Sequence, residues 1–229
     1  MPIGGLQKVS LVDYPGHTAA SIFTLGCNMR CGYCHNPELV LPEQFLESIP
    51  VAMILDWLEK RRGKLDGVVV SGGEPTIHQD LPRLIKAIKT MGYLVKLDTN
   101  GTHPDMLADL IADSQIDFVA MDIKGPLARY SEIAARPIDT DAVVRSIRLV
   151  IDSGIDHELR TTIVRSQLQP EEFHEIGQLA AGAKRFALQK FRPGKTLSPQ
   201  FAYESAYDDE QMQGIKSIME KYVATCVIH

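Results

Sequence analysis

Apolar and polar positions along the chain fall into two alternating patterns. Short, nearly continuous apolar runs occupy 19–25, 67–71, 93–98, 117–122, 157–164 and 185–189. Runs of this length and evenness predict strands covered on both faces. Between them, apolar residues return at helical spacing. Segment 51–62 sets Ile54, Leu55 and Leu58 on one side, and 81–91 does the same with Leu84, Ile85 and Ile88. Segment 141–152 repeats the pattern through Val144, Ile147 and Ile151, with Gly154 as its stop. Further helices are expected over 105–112, 171–181 and 208–221, and Asp80 stands as an N-cap before Leu81-Pro82. Six such repeats imply parallel strands joined by right-handed crossovers. On periodicity alone, an open doubly wound sheet and a barrel both remain open. Six units fall short of an eightfold barrel, which takes about 250 residues, so a barrel here would be partial. Stretches 37–50 and 191–206 follow neither period and read as loops that line or cover a site.

The chemically suggestive residues sit at the C-terminal ends of these strands, the edge where parallel α/β proteins place their sites. Gly26-Cys27-Asn28-Met29-Arg30-Cys31-Gly32-Tyr33-Cys34-His35-Asn36-Pro37 follows the first strand. Ser71-Gly72-Gly73-Glu74-Pro75 follows the second, Asp98-Thr99-Asn100-Gly101 the third and Asp122-Ile123-Lys124-Gly125 the fourth. Three cysteines spaced C-x3-C-x2-C repel one another as thiolates unless a cation shares them. Sulfur ligands without imidazole or carboxylate company suit an iron–sulfur cluster. A four-iron cubane normally takes four cysteines, so three leave one iron open to chemistry.

Other residues carry two readings each. Gly72-Gly73 is a tight turn or a close approach of backbone to a ligand, with Glu74 suited to an ammonium group. Asp98-Thr99-Asn100-Gly101 is by default a turn in which Asn-Gly supplies positive φ. Asp122 and Lys124 form a simple ion pair or part of a site. Tyr33 is core packing or a ligand contact, and His35 with Asn36 a structural turn or an outer hydrogen-bonding shell. Arg160 is an ion-pair partner or a carboxylate contact.

Composition narrows the classes. The 229 residues carry 45% apolar residues, ordinary for a globular core, and a net charge of −5, which argues against nucleic acid as a partner. No apolar run approaches a membrane span, and the start lacks a signal peptide's basic and apolar regions, so a cytoplasmic, reducing setting is expected. One domain over 1–229 is expected, with its cluster loop at 26–37. Beyond that loop the only cysteine is Cys226, in an apolar tail, so a second cluster domain cannot be built.

The cysteine loop, with an aromatic just before its third cysteine, resembles the signature of radical S-adenosylmethionine (SAM) enzymes. Together with Ser10-Leu11-Val12-Asp13-Tyr14-Pro15-Gly16 it is similar to the activating enzymes of glycyl-radical proteins. The nearest type is the one serving anaerobic ribonucleoside-triphosphate reductase, followed by the pyruvate formate-lyase activating type. The match is dense from Leu11 to about Lys124. This resemblance implies a partial (β/α)6 TIM-like barrel of parallel strands. It further implies an enzyme that cleaves SAM at one [4Fe-4S] cluster held by Cys27, Cys31 and Cys34 and makes a glycyl radical on a partner protein. A low-potential donor such as flavodoxin or ferredoxin is implied as well. By the same resemblance Gly72, Gly73 and Glu74 hold the amino group of SAM, and Tyr33 sits against adenine. Asp98, Thr99 and Asp122 surround a monovalent cation beside the SAM carboxylate, and Lys124 contacts SAM. Asp13 approaches the incoming glycine loop. The chain has Gln189-Lys190-Phe191-Arg192 where the pyruvate formate-lyase activating type has a SAM-contacting histidine, which leaves the ribose contact unassigned. Two rivals stand beside this reading: a small-molecule radical SAM enzyme such as a 7-carboxy-7-deazaguanine synthase, and a zinc or electron-carrier module.

Overall fold

The computed structural model describes residues 1–229. Its strands are β1 (Ile3–Ser10), β2 (Ala19–Thr24), β3 (Gly67–Gly72), β4 (Leu94–Thr99), β5 (Phe118–Asp122), β6 (Asp156–Ile163), β7 (Phe186–Lys190) and β8 (Cys226–Ile228). Its helices are α1 (Pro37–Val40), α2 (Val51–Glu59), α3 (Leu81–Thr90), α4 (Pro104–Ala112), α5 (Tyr130–Ile133), α6 (Thr140–Asp152), α7 (Phe173–Leu179) and α8 (Asp209–Met219). The strands lie in one sheet in chain order. The expected α/β class is therefore what the chain adopts. No helix is long and apolar enough to cross a membrane.

Two compact units divide the chain, and the division runs through the cysteine loop. The first comprises Met1–Asn28, Pro37–Thr99 and Asp105–Val119; the second comprises Met29–Asn36, Asn100–Pro104 and Ala120–His229. In the first unit β2, β3 and β4 pair in parallel, Ala19 opposite Gly67 and Gly67 opposite Leu94. Val68, Val69 and Val70 are all buried, as a strand covered on both faces requires. One cover is α3, which buries Leu81, Leu84, Ile85 and Ile88, an i, i+3, i+4, i+7 stripe. Near the strand starts Tyr14 packs with Ala19, Val69, Leu94 and Phe118.

The second unit repeats the logic: β6, β7 and β8 pair in parallel, with Leu159 opposite Phe186 and Phe186 opposite Cys226. Helix α6 is capped by Asp139, whose carboxylate accepts from the N–H groups of Asp141 and Ala142. It ends at Gly154, with φ of 75°. Cys226 is buried in β8.

Four features depart from the sequence pattern, the first being the short helix α1 inside the expected loop 37–50. Strand β1 runs antiparallel to β2 with irregular register at both ends, and no alternation announces it. The tail strand β8 is three residues long. Asp80 is the N-cap residue of α3 but makes no side-chain capping bond; its carboxylate takes the N-terminal ammonium of Met1 instead.

Candidate active site

The expected residues form two groups, one in each unit. In the first, β2 ends at Thr24 and the chain turns through Gly26, with φ of 93°, into Cys27. The Gly72-Gly73-Glu74 turn is laid against this exit. Gly73 N–H donates to Thr24 O at 2.9 Å and Glu74 N–H to Gly26 O at 2.8 Å. A Cβ on Gly73 would lie 2.0 Å from Gly26 O, and one on Gly72 would lie 2.2 Å from Thr24 N. The close approach these glycines permit is thus to the chain's own backbone, not only to a ligand.

Glu74 is buried, and its Oε1 accepts from Thr76 N at 3.1 Å, Thr76 Oγ1 and Thr99 Oγ1 at 2.7 Å. Beside Thr99, Asp98 accepts from Ser71 Oγ at 3.3 Å and from the ammonium of Lys96. Glu74 and Thr99 are therefore brought together, while Asp98 is held by Ser71 and Lys96. Lys96 and Thr76 are members of the group that the motifs did not name. Asp13 lies at the other end of β2. Its carboxylate accepts from Ser21 Oγ at 2.6 Å, and the neighbouring Ser10 pairs with Ala19 where that strand begins.

The second group centres on Asp122 at the end of β5. Arg160 Nε donates to its Oδ1 at 2.9 Å and Lys124 Nζ to its Oδ2 at 3.3 Å. Burial alone would raise the Asp122 carboxyl. The two cations more than offset that and hold it well below the usual carboxylate range. Lys124 is the mirror case: burial opposes its charge, and Asp122 pushes its ammonium up. Tyr130, from α5, accepts from Lys124 N at 3.3 Å and donates to Asp122 O at 3.4 Å. Ile123 N donates to Arg160 O at 2.7 Å, so β6 fixes the end of β5. Arg160 is thus an ion-pair partner, and a largely buried one rather than a surface one.

The rest of the cysteine loop belongs to this second unit. Cys34 N–H donates to Cys31 O at 3.0 Å, closing a turn. Burial pushes the Cys31 thiol up, while nearby Lys124 pulls it down. The stretch 191–206, expected to line or cover a site, is bonded to this loop. Leu197 N–H donates to Cys34 O at 2.8 Å and Ser198 N–H to Gly32 O at 2.9 Å. Phe201 meets the buried Tyr33 edge-on, with ring centres 6.2 Å apart, and fills the place a Cβ on Gly32 would take. His35 stacks on Phe191, ring centres 5.0 Å apart, and its Nδ1 is 2.9 Å from Lys195 O. Its contacts make it part of the packing of this cover.

None of the four cysteines is in a disulfide. No three His, Cys, Asp or Glu side chains lie close enough to share a single metal ion. In a cubane each thiolate meets a different iron, so the fit of Cys27, Cys31 and Cys34 rests on donor chemistry: three sulfurs, unbridged, with cationic Lys124 beside Cys31. That donor set fits an iron–sulfur cluster. The carboxylates meant for a monovalent cation fit less well, since Asp98 and Asp122 each already carry a protein cation.

Residues 21–180 match the family model of the radical SAM superfamily. A Methanocaldococcus jannaschii protein named "Putative glycyl-radical enzyme activating enzyme" is 31% identical over 99% of this chain and 95% of its own length. A 7-carboxy-7-deazaguanine synthase of Aquifex aeolicus is 34% identical over 34% of this chain and 33% of its own. Among solved structures, Streptococcus suis SuiB bound to S-adenosylmethionine superposes with a TM-score of 0.70 at 14% identity. That match covers 89% of this chain and 48% of SuiB, and it concerns the fold alone. The superfamily match spans most of the chain, and the methanogen relative matches nearly end to end: the chain belongs to the radical SAM superfamily, among its glycyl-radical-enzyme activating enzymes.

Proposed function

We propose that this chain is a single-domain, cytoplasmic activating enzyme whose Cys27, Cys31 and Cys34 hold one [4Fe-4S] cluster. When bound, the cluster supplies one electron to SAM, giving methionine and a 5′-deoxyadenosyl radical that takes a hydrogen atom from a backbone glycine of a partner protein. The residues around it bind and orient. The Glu74 carboxylate receives the amino group of SAM, a charge-assisted contact. Lys124 and Arg160, held rigid by Asp122, face its carboxylate. Thr99 braces Glu74 from the next strand, and Asp98 beside it is held by Lys96 and Ser71. Tyr33 flanks the adenine, and the Leu197–Phe201 segment, with His35 on Phe191, keeps water from the loop. Gly72 and Gly73 set the distance between Glu74 and the cysteine loop.

One observation carries this most: the Glu74 N–H bond to Gly26 O ties the glycine-glycine-glutamate turn to the residue just before Cys27. This backbone bond supports reading Glu74 and Cys27 as members of one site. No paired acid and base is needed, because a hydrogen atom moves rather than a proton. Anaerobic ribonucleoside-triphosphate reductase is our first choice of partner, a pyruvate formate-lyase-type protein the second, and flavodoxin or ferredoxin the electron donor. The partial match to a 7-carboxy-7-deazaguanine synthase favours a small-molecule substrate as the alternative. Reduced, cluster-loaded protein mixed with SAM and each candidate glycyl-radical protein separates the two. A glycyl doublet in the electron paramagnetic resonance spectrum supports activation. Cleavage of SAM with no doublet on any candidate would turn the assignment to a small molecule.

A further inference from the structure

The geometry points to Lys96 as a built-in replacement for a bound monovalent cation at Asp98. We propose that its ammonium balances this carboxylate, so that the protein needs no alkali-metal ion there. The inference rests on the function proposed above only for the cofactor's nearness to Asp98.

Lys96 and Asp98 are two residues apart on β4 and so point to the same face of the sheet. The Lys96 ammonium donates to Asp98 Oδ1, and the Ser71 hydroxyl donates to Oδ2. Their side chains are 5% and 16% exposed. The ammonium also lies 6.0 Å from the centre of the Phe118 ring, whose face favours a cation. A lysine this deep in a sheet is costly unless its charge is matched, and here the match is Asp98. An ammonium and an alkali ion carry the same charge. Placing both on one carboxylate at this depth would set two cations against each other with little water to screen them. The second unit follows the same rule by itself, since both oxygens of Asp122 already accept from Arg160 and Lys124.

The test compares potassium chloride with tetramethylammonium chloride at equal ionic strength. Melting is followed on the metal-free chain and SAM affinity on the cluster-loaded protein. Wild type is expected to melt at one temperature in both salts and to bind SAM within about twofold. Lys96→Met leaves Asp98 buried without its cation. It is expected to melt lower and bind SAM about tenfold more weakly in tetramethylammonium, with potassium restoring much of both. The double variant Lys96→Met/Asp98→Asn, which removes both charges, is expected to fold without potassium and ignore it. Potassium-dependent melting or SAM binding by wild type would overturn the proposal. So would a Lys96→Met protein that folds and gains nothing from potassium. If Lys96→Met folds in neither salt, the potassium titration of wild type still decides. Absence of SAM binding in every salt would sink the proposed function, while the melting comparison still judges Lys96.

Discussion

The amide of Glu74 donates to the carbonyl of Gly26 at 2.8 Å, and Gly73 makes that approach possible. The bond couples two motifs 46 to 48 residues apart in sequence, since Gly26 leads into Cys27 and Glu74 closes the glycine-glycine-glutamate turn. Gly73→Ala would push a Cβ to 2.0 Å from backbone that cannot rotate away. We expect it to cost about 3 kcal/mol, the upper range for overpacking. Gly214→Ala, in open space on α8, should stabilise by a few tenths to about 1 kcal/mol. Chemical denaturation of the metal-free protein measures both.

Glu74→Gln separates the charge of Glu74 from its structural work. Its Oε1 accepts from Thr76 and Thr99, and a glutamine carbonyl can do the same. The melting temperature is expected to change little, whereas SAM affinity should fall at least about tenfold, or about 1.4 kcal/mol. Equilibrium binding on the cluster-loaded protein checks this.

Cys27→Ala, Cys31→Ala and Cys34→Ala are each expected to reduce iron and acid-labile sulfide to background after reconstitution. Cys226→Ala should retain both and lose about 1 kcal/mol of stability, because Cys226 is buried away from the loop in β8. Iron and sulfide analysis with a denaturation curve distinguishes the two outcomes.

Asp122 makes stability depend on acid. Its folded carboxyl lies below the ordinary carboxylate range, so the unfolded chain binds a proton first as pH falls. Its contribution is fully present above the unfolded value of about 4 and is lost as pH drops toward the folded one. Asp122→Asn strands Arg160 and Lys124 and should cost about 3 kcal/mol at neutral pH. Below about pH 4 its stability should fall less steeply than that of wild type. Urea denaturation from pH 7 to pH 3 checks the slope.

The core strands and long helices were legible because their residues repeat at strand or helix period. The cysteine loop was legible because three sulfurs at that spacing need a common cation. Strand β1 was not, since Gly4-Gly5-Leu6-Gln7-Lys8 has no alternation and its pairing comes from backbone bonds to β2. Lys96 went unnoticed inside an apolar run, although opposite charges two apart on a strand share a face. Tyr130 could not be read as a partner of Lys124, because only the turn through α5 brings its hydroxyl back to β5. Asp80 showed the opposite failure: the local signal for a cap was sound, but the chain terminus 79 residues away claimed it.

The central claim is that the cluster held by Cys27, Cys31 and Cys34 has an open iron at which SAM binds. Electron paramagnetic resonance of the reduced, reconstituted protein with and without SAM tests it directly. A [4Fe-4S] signal that changes on adding SAM, and is absent from the Cys31→Ala protein, is the predicted result. A cluster signal identical with and without SAM would contradict it.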